Sequence, residues 1–142
     1  MKSSKFWIAV AVAGVAMNIV DFVFQGMLFG EMIYKKFPQL FSMNQSNLAY
    51  YIVGDFIAVL VFAWVYDKVY SSFGGGPKGG MMAGMYAGVL TGFPIWIFAH
   101  LTFNGFPYWA SWVFTIYGIV WYNIAGTIIG ALYKKGEAPA QA

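Results

Sequence analysis

Four apolar runs, each long enough to cross a lipid bilayer, set the limits on what this chain can become. They cover about residues 6–29, 49–67, 81–103 and 109–132, and a hydrocarbon core of roughly 30 Å needs about 20 helical residues to span it. The runs are continuously apolar, with no period of two. They therefore read as helices that close their backbone hydrogen bonds internally, and not as barrel strands. The expected fold is all-α: a polytopic membrane protein, a four-transmembrane-helix bundle forming one transmembrane domain over residues 1–142. Composition points the same way. Only 9% of the residues are charged and 61% are hydrophobic, whereas soluble domains carry roughly 25% charge.

The first run begins after Lys2 and Lys5 and has small residues at Ala13 and Ala16, as a signal peptide would. It continues to Phe29, past the roughly 7–15 residues of a signal core, and so reads as an uncleaved first span. Lysines then set the orientation, because positive segments stay on the cytoplasmic side. Lys2 and Lys5, Lys68 and Lys78, and Lys134 and Lys135 fall on one side, while the other side has only Lys35 and Lys36. Both termini are expected in the cytoplasm. The net charge of +3 is spread over loops and ends and offers no basic face for nucleic acid. The chain has no cysteine, which excludes disulfides, thiol nucleophiles and cysteine-ligated clusters. No nucleophile elbow, metalloprotease helix or nucleotide loop is present, so an enzyme is not expected.

The outer loop "EMIYKKFPQLFSMNQSN" mixes aromatics with lysines and suits the headgroup boundary. Ser46 or Asn47 is a candidate N-cap for the second span, and Asn44-Gln45-Ser46 has the form of a glycosylation acceptor. The inner segment "SSFGGGPKGG", residues 71–80, lacks the Gly-Lys-Ser/Thr ending of a phosphate loop and reads as a flexible linker. Its glycines lead into Gly80, Gly84, Gly88 and Gly92, one every four residues along the third span, with Gly118, Gly126 and Gly130 on the fourth. Such small-xxx-small faces let two backbones approach closely. They serve either packing within the chain, on the first or fourth span, or docking of another subunit. Pro94 cannot donate to the Leu90 carbonyl, so a bend is expected in the outer half of the third span.

Within the first span, Gly14, Asn18, Asp21 and Gln25 recur at steps of four, three and four and share one helix face. A carboxylate facing lipid costs roughly 2.5–3.5 kcal/mol at a helix centre, so this stripe should face protein. The first span runs outward and the second returns. At 1.5 Å per residue, Asp21 and Asp55 lie about 12 Å and about 9 Å below the outer boundary, in one layer. His100, Gln25 and Asn104 lie above them, and Trp96, His100 and Asn104 follow at i+4 spacing. One intramembrane polar cluster of Asn18, Asp21, Gln25, Asp55, His100 and Asn104 is expected. Two carboxyls so placed share one proton, or one stays neutral as a donor. Tyr122 and Asn123 fall in the inner half of the fourth span, too deep to join this layer, and Asn123 reads as helix-to-helix glue.

The stretch "DFVFQGMLFG", an acid followed by Gly26 and Gly30 near the outer end of the first span, together with four short-looped spans, resembles small four-span bacterial integral membrane proteins of uncharacterised function. The resemblance implies the layout alone. Three functional classes follow from the residues. The leading one is an accessory or scaffolding subunit of a larger membrane complex, docking through its glycine faces on other membrane subunits or on itself. The alternative is a small oligomeric transporter or channel component in which Asp21 and Asp55 take a proton or cation. The third is a haem- or chlorophyll-type pigment carrier through His100, or a metal site joining it to the two acids.

Overall fold

The computed structural model describes residues 3–41 and 47–135, and every regular element among them is helical. Helix α1 spans Ser4–Asp21 and continues as π-helical turns over Phe22–Leu28 and Gly30–Tyr34; α2 spans Leu48–Val69, α3 Gly76–Trp96, α4 Ala99–Thr102 and α5 Tyr108–Leu132. Four helical runs are long and apolar enough to cross a membrane: Ser4–Tyr34, Leu48–Phe73, Gly76–Thr102 and Tyr108–Leu132. α5 is the central one, packed between α1 and α3, while α2 lies mainly on α1. The start of α1 meets the end of α5, with Phe6 and Tyr133 in edge contact at 5.6 Å, so the two ends of the bundle's chain path adjoin.

α1 starts at a Ser3 cap, whose hydroxyl accepts from the Phe6 N–H at 3.3 Å. Its buried face, Phe6, Ala9, Val10, Ala13, Gly14 and Met17, keeps the i, i+3, i+4 spacing of one helix stripe. Beyond Asp21 the turns widen. The Phe29 N–H donates to the Phe24 carbonyl and the Lys35 N–H to the Gly30 carbonyl, each five residues back. An α-helical continuation would bring Leu28 inward after Phe24. The wider turns instead leave Leu28 45% exposed and bury Phe29 to 5%, with Ile33 fully inside. The span therefore does not end near Phe29 in a surface loop. It runs on to Tyr34 because these rings and Ile33 seat in an aromatic core with Phe114 and Tyr117.

The segment over 71–80 is shorter as a loop than its composition suggests. A 3₁₀ turn, Tyr70–Phe73, is followed by Gly74, Gly75 and Gly76, all with positive φ, and α3 begins at Gly76 with Pro77 in its first turn. At the other end α3 carries Pro94 inside its last turn, stops at Trp96, and resumes as α4 after a two-residue break. Asn47 stands at the N-cap of α2 without a side-chain capping bond; Ser46 and the Asn44-Gln45-Ser46 triplet lie outside the described residues.

All seven spaced glycines meet across one seam, between α3 and α5. A Cβ built on Gly80 would lie 3.0 Å from the Gly130 Cα, one on Gly84 would lie 3.1 Å from the Asn123 Cα, and one on Gly88 would lie 2.6 Å from the Ile119 Cα. Gly92 faces Thr115 and Gly118, and Gly126 faces Gly80 and Gly84. The face that suggests docking of another subunit is occupied by the chain's own α5. The physical reason is reciprocity: each helix supplies a glycine row, and two such rows allow backbone contact that either row against an ordinary helix would block.

Candidate functional site

Most polar side chains inside the long helices spend their hydrogen bonds on their own helix. Asn18 Nδ2 donates to the Gly14 carbonyl at 2.9 Å, Thr91 to Ala87 at 2.8 Å, Thr115 to Ser111 at 2.8 Å, Asn123 to Ile119 at 2.8 Å and Thr127 to Asn123 at 2.7 Å. This i−4 back-bonding satisfies each group locally. Asn123 is thus satisfied by its own backbone and is not glue between helices.

Asp21 is different. It sits near the middle of the Ser4–Tyr34 run, where the α-helical turns give way to π-helical ones. The Tyr117 hydroxyl donates to Asp21 Oδ1, and Trp121 Nε1 donates to Oδ2 at 3.2 Å. Both donors come from α5, one turn apart, so each carboxyl oxygen receives one hydrogen bond from a different helix. Asp55, from α2, lies close enough to Asp21 for the two carboxyl groups to interact. Two carboxyl groups can hydrogen-bond each other only when one of them carries a proton, because an ionised carboxylate only accepts. One turn further along the first span, the Tyr34 hydroxyl donates to Gln25 Oε1. The π-helical register brings that pair together: with hydrogen bonds spanning five residues, positions nine apart lie about two turns up the same face.

A cleft of about 210 Å³ opens beside the acid. Its wall includes Asp21, Gln25, Trp96, Phe114, Tyr117 and Trp121. α1 and the π-helical turns, α2, α3 and α5 each contribute. Tyr122 also lines this cleft. Its assignment to a separate, deeper layer is corrected by the length of the first span: with that helix extended to Tyr34, Asp21 lies deeper in the bundle than a span ending at Phe29 allows.

Of the residues expected to cluster, the structure brings Asp21, Asp55 and Gln25 together. Asn18 turns to its own backbone. The break after Trp96 takes His100 and Asn104 off the Trp96 face: His100 stands on α4 with its ring 4.7 Å from that of Tyr108, and Asn104 is exposed in the following turn. His100 Nδ1 is buried without a hydrogen-bond partner, and neither residue bonds to the carboxyl pair. Among the described residues, no group of three or more His, Cys, Asp and Glu side chains is arranged to hold a metal ion. The residues that sequence reasoning misses are Tyr117 and Trp121. Their signal is present: two aromatics with polar tips at i, i+4 in an apolar helix, each needing a partner once buried.

A buried acid, Asp67, ties the other end of the bundle. The Tyr133 hydroxyl donates to Asp67 Oδ1, and Lys135 Nζ donates to the Asp67 carbonyl at 2.8 Å. Tyr70 packs edge-on against Tyr133 at 6.0 Å. Burial, then the hydrogen bond from the phenol to Asp67 and the charge of that carboxylate, push the Tyr133 phenol up from its ordinary value. Since the raised group is the neutral donor, the tie is fully present below the free tyrosine value of about 10 and is lost only as pH rises through the higher folded value. Tyr133→Phe should cost about 1.5–3 kcal/mol, the range for a hydrogen bond to a charged group. Unfolding in a denaturing-detergent titration, followed by circular dichroism at pH 7, measures it; a variant as stable as the parent would show that the tie contributes nothing.

No protein family, curated protein or solved structure matches the chain.

Proposed function

We propose that this is an integral membrane protein, resident in a bacterial inner membrane with both termini in the cytoplasm, that handles a proton at Asp21 and Asp55 as a small, oligomeric transporter or channel component. The observation that carries this reading is the carboxyl pair itself. In a bundle where several polar side chains bond back to their own helix, Asp21 is held by two donors from α5, faces Asp55 from α2 and borders an open cleft. Acids inside a membrane are expensive to keep and mark ion or proton pathways. A carboxyl pair carries one negative charge when it holds one proton and none when it holds two, so it can take up and release a proton between those states without both acids being ionised at once in lipid. Tyr117 and Trp121 fix the acceptor, and Asp55 supplies or receives the proton.

The test is proton flux into proteoliposomes carrying an internal pH dye under an imposed pH gradient. Wild-type protein should dissipate the gradient, and Asp21→Asn and Asp55→Asn should each reduce the flux to the level of empty vesicles. Flux unchanged in both variants would end the reading. Cysteines introduced at positions 3 and 134 should label from the cytoplasmic side only; labelling of the two from opposite sides would refute the orientation.

A second reading, an accessory subunit of a larger membrane assembly, is favoured by α2. The outer half of this helix has little protein cover: Tyr50 is 79% exposed, and a Cβ placed on Gly54 would meet nothing within 4 Å. In this reading the contact with a partner runs through α2, since the α3 glycine row is already filled.

A further inference from the structure

The cleft beside Asp21 has a lining that a proton alone does not need. Trp96 comes from α3, and Phe114, Tyr117 and Trp121 come from α5, so aromatic rings wall much of the space. Among the described residues, the only acid on its wall is Asp21, and that acid already accepts one hydrogen bond on each oxygen. A hard metal ion would find too few free oxygens here, because such ions take six or more oxygen ligands or keep their water. A primary ammonium would bring three N–H donors into a wall where the Gln25 carbonyl oxygen is engaged by Tyr34. A quaternary ammonium has neither need. It carries its charge on methyl groups, offers no N–H to satisfy, and is attracted both by aromatic faces and by a carboxylate. The volume also fits: 210 Å³ equals about seven water molecules at roughly 30 Å³ each, the scale of a small organic cation and below that of a drug-sized ligand.

We propose that this cleft is a binding site for small quaternary ammonium cations, held by the Asp21 carboxylate and the rings of Trp96, Phe114 and Trp121. The inference rests on the reading of Asp21 as the charged centre of the site and adds the class of ligand. When the cation enters, the proton held between Asp21 and Asp55 leaves to solvent, so one positive charge replaces another and the net charge of the site is unchanged. The titratable groups that face Asp21 are Asp55 from α2, Tyr34 from the end of the first span and Tyr117 from α5; α3 contributes Trp96, which does not titrate. Affinity should therefore rise as pH rises and the carboxyl proton becomes easier to displace.

Isothermal titration of the full chain in non-ionic detergent tests this, with benzyltrimethylammonium as the probe and neopentylbenzene, its uncharged carbon isostere, as the control. The expected result is saturable binding of the cation with release of up to one proton, no comparable binding of the isostere, and loss of binding in Asp21→Asn. Trp96→Ala, a change at a half-buried position on the cleft wall, should weaken the cation about tenfold while Trp96→Phe restores it. Equal binding of cation and isostere would reduce the cleft to an apolar gap, and binding indifferent to Asp21→Asn or Trp96→Ala would place the cation elsewhere; either overturns the inference. Proton flux in proteoliposomes separates the two readings. Flux without any cation binding removes the ligand and leaves the proton site, whereas loss of both removes the carboxyl centre altogether.

Discussion

Gly84→Leu should abolish the folded protein in detergent extracts, and even Gly84→Ala should cost about 3 kcal/mol, the upper end of the range for inserting atoms into a packed interior. The reason is the identity of the neighbour. A side chain at position 84 points at the backbone of Tyr122 and Asn123 on α5, and a backbone cannot rotate away as a flexible side chain can. The two helices must separate along their length, which also opens the Gly80 and Gly88 contacts on either side. Stabilities of folded proteins total only about 5–15 kcal/mol, so a leucine there exceeds what the bundle can absorb. Gly54→Ala is the matched control, because nothing lies within 4 Å of its Cβ position; it should be neutral or gain up to about 1 kcal/mol in helix propensity. Denaturing-detergent titrations of the parent and the two alanine variants decide the matter. If Gly84→Ala and Gly54→Ala unfold together, α3 and α5 do not rely on the glycine seam.

The second large effect is expected at Asp21, where two substitutions separate charge from structure. Asp21→Leu strands the Tyr117 hydroxyl and the Trp121 N–H, and each buried donor left without a partner costs about 1–3 kcal/mol. Asp21→Asn keeps both contacts: its carbonyl oxygen accepts from Trp121 Nε1, and its amide donates to the Tyr117 oxygen, since a phenol accepts as well as donates. The asparagine variant should therefore remain close to the parent in stability while losing proton flux, and the leucine variant should lose both. Equal stability of the leucine variant and the parent would mean that Asp21 does not anchor α5. Flux retained by the asparagine variant would mean that the proton passes elsewhere.

Several parts of the molecule are legible along the chain because they depend on local chemistry. Run length and the lack of alternation identify four helices long enough to span a bilayer. The glycine period marks a close helix seam, and the cost of a carboxylate in lipid directs Asp21 inward. The features that differ from expectation share a cause. An ideal α-helix would end the first span near Phe29, yet five-residue hydrogen bonds carry it to Tyr34, because Phe29 and Ile33 gain more by facing the aromatic core than the backbone loses by widening. That change in register sets Asp21 down toward Tyr117 and Trp121 and puts Gln25 under Tyr34. Similarly, the i+4 series Trp96, His100 and Asn104 holds only if the helix is continuous, and the break after Pro94 divides it.

What the sequence determined by itself is a property of each segment taken alone: apolar length, small-residue period, and the presence of an acid that must find partners. Which partners it finds belongs to the tertiary structure. The pairing of the two glycine rows, the donors Tyr117 and Trp121 reaching across from α5, and the cleft beside Asp21 all depend on how whole helices settle against one another. That settling is governed by the fit of surfaces drawn from distant parts of the chain, and no local pattern encodes such a fit.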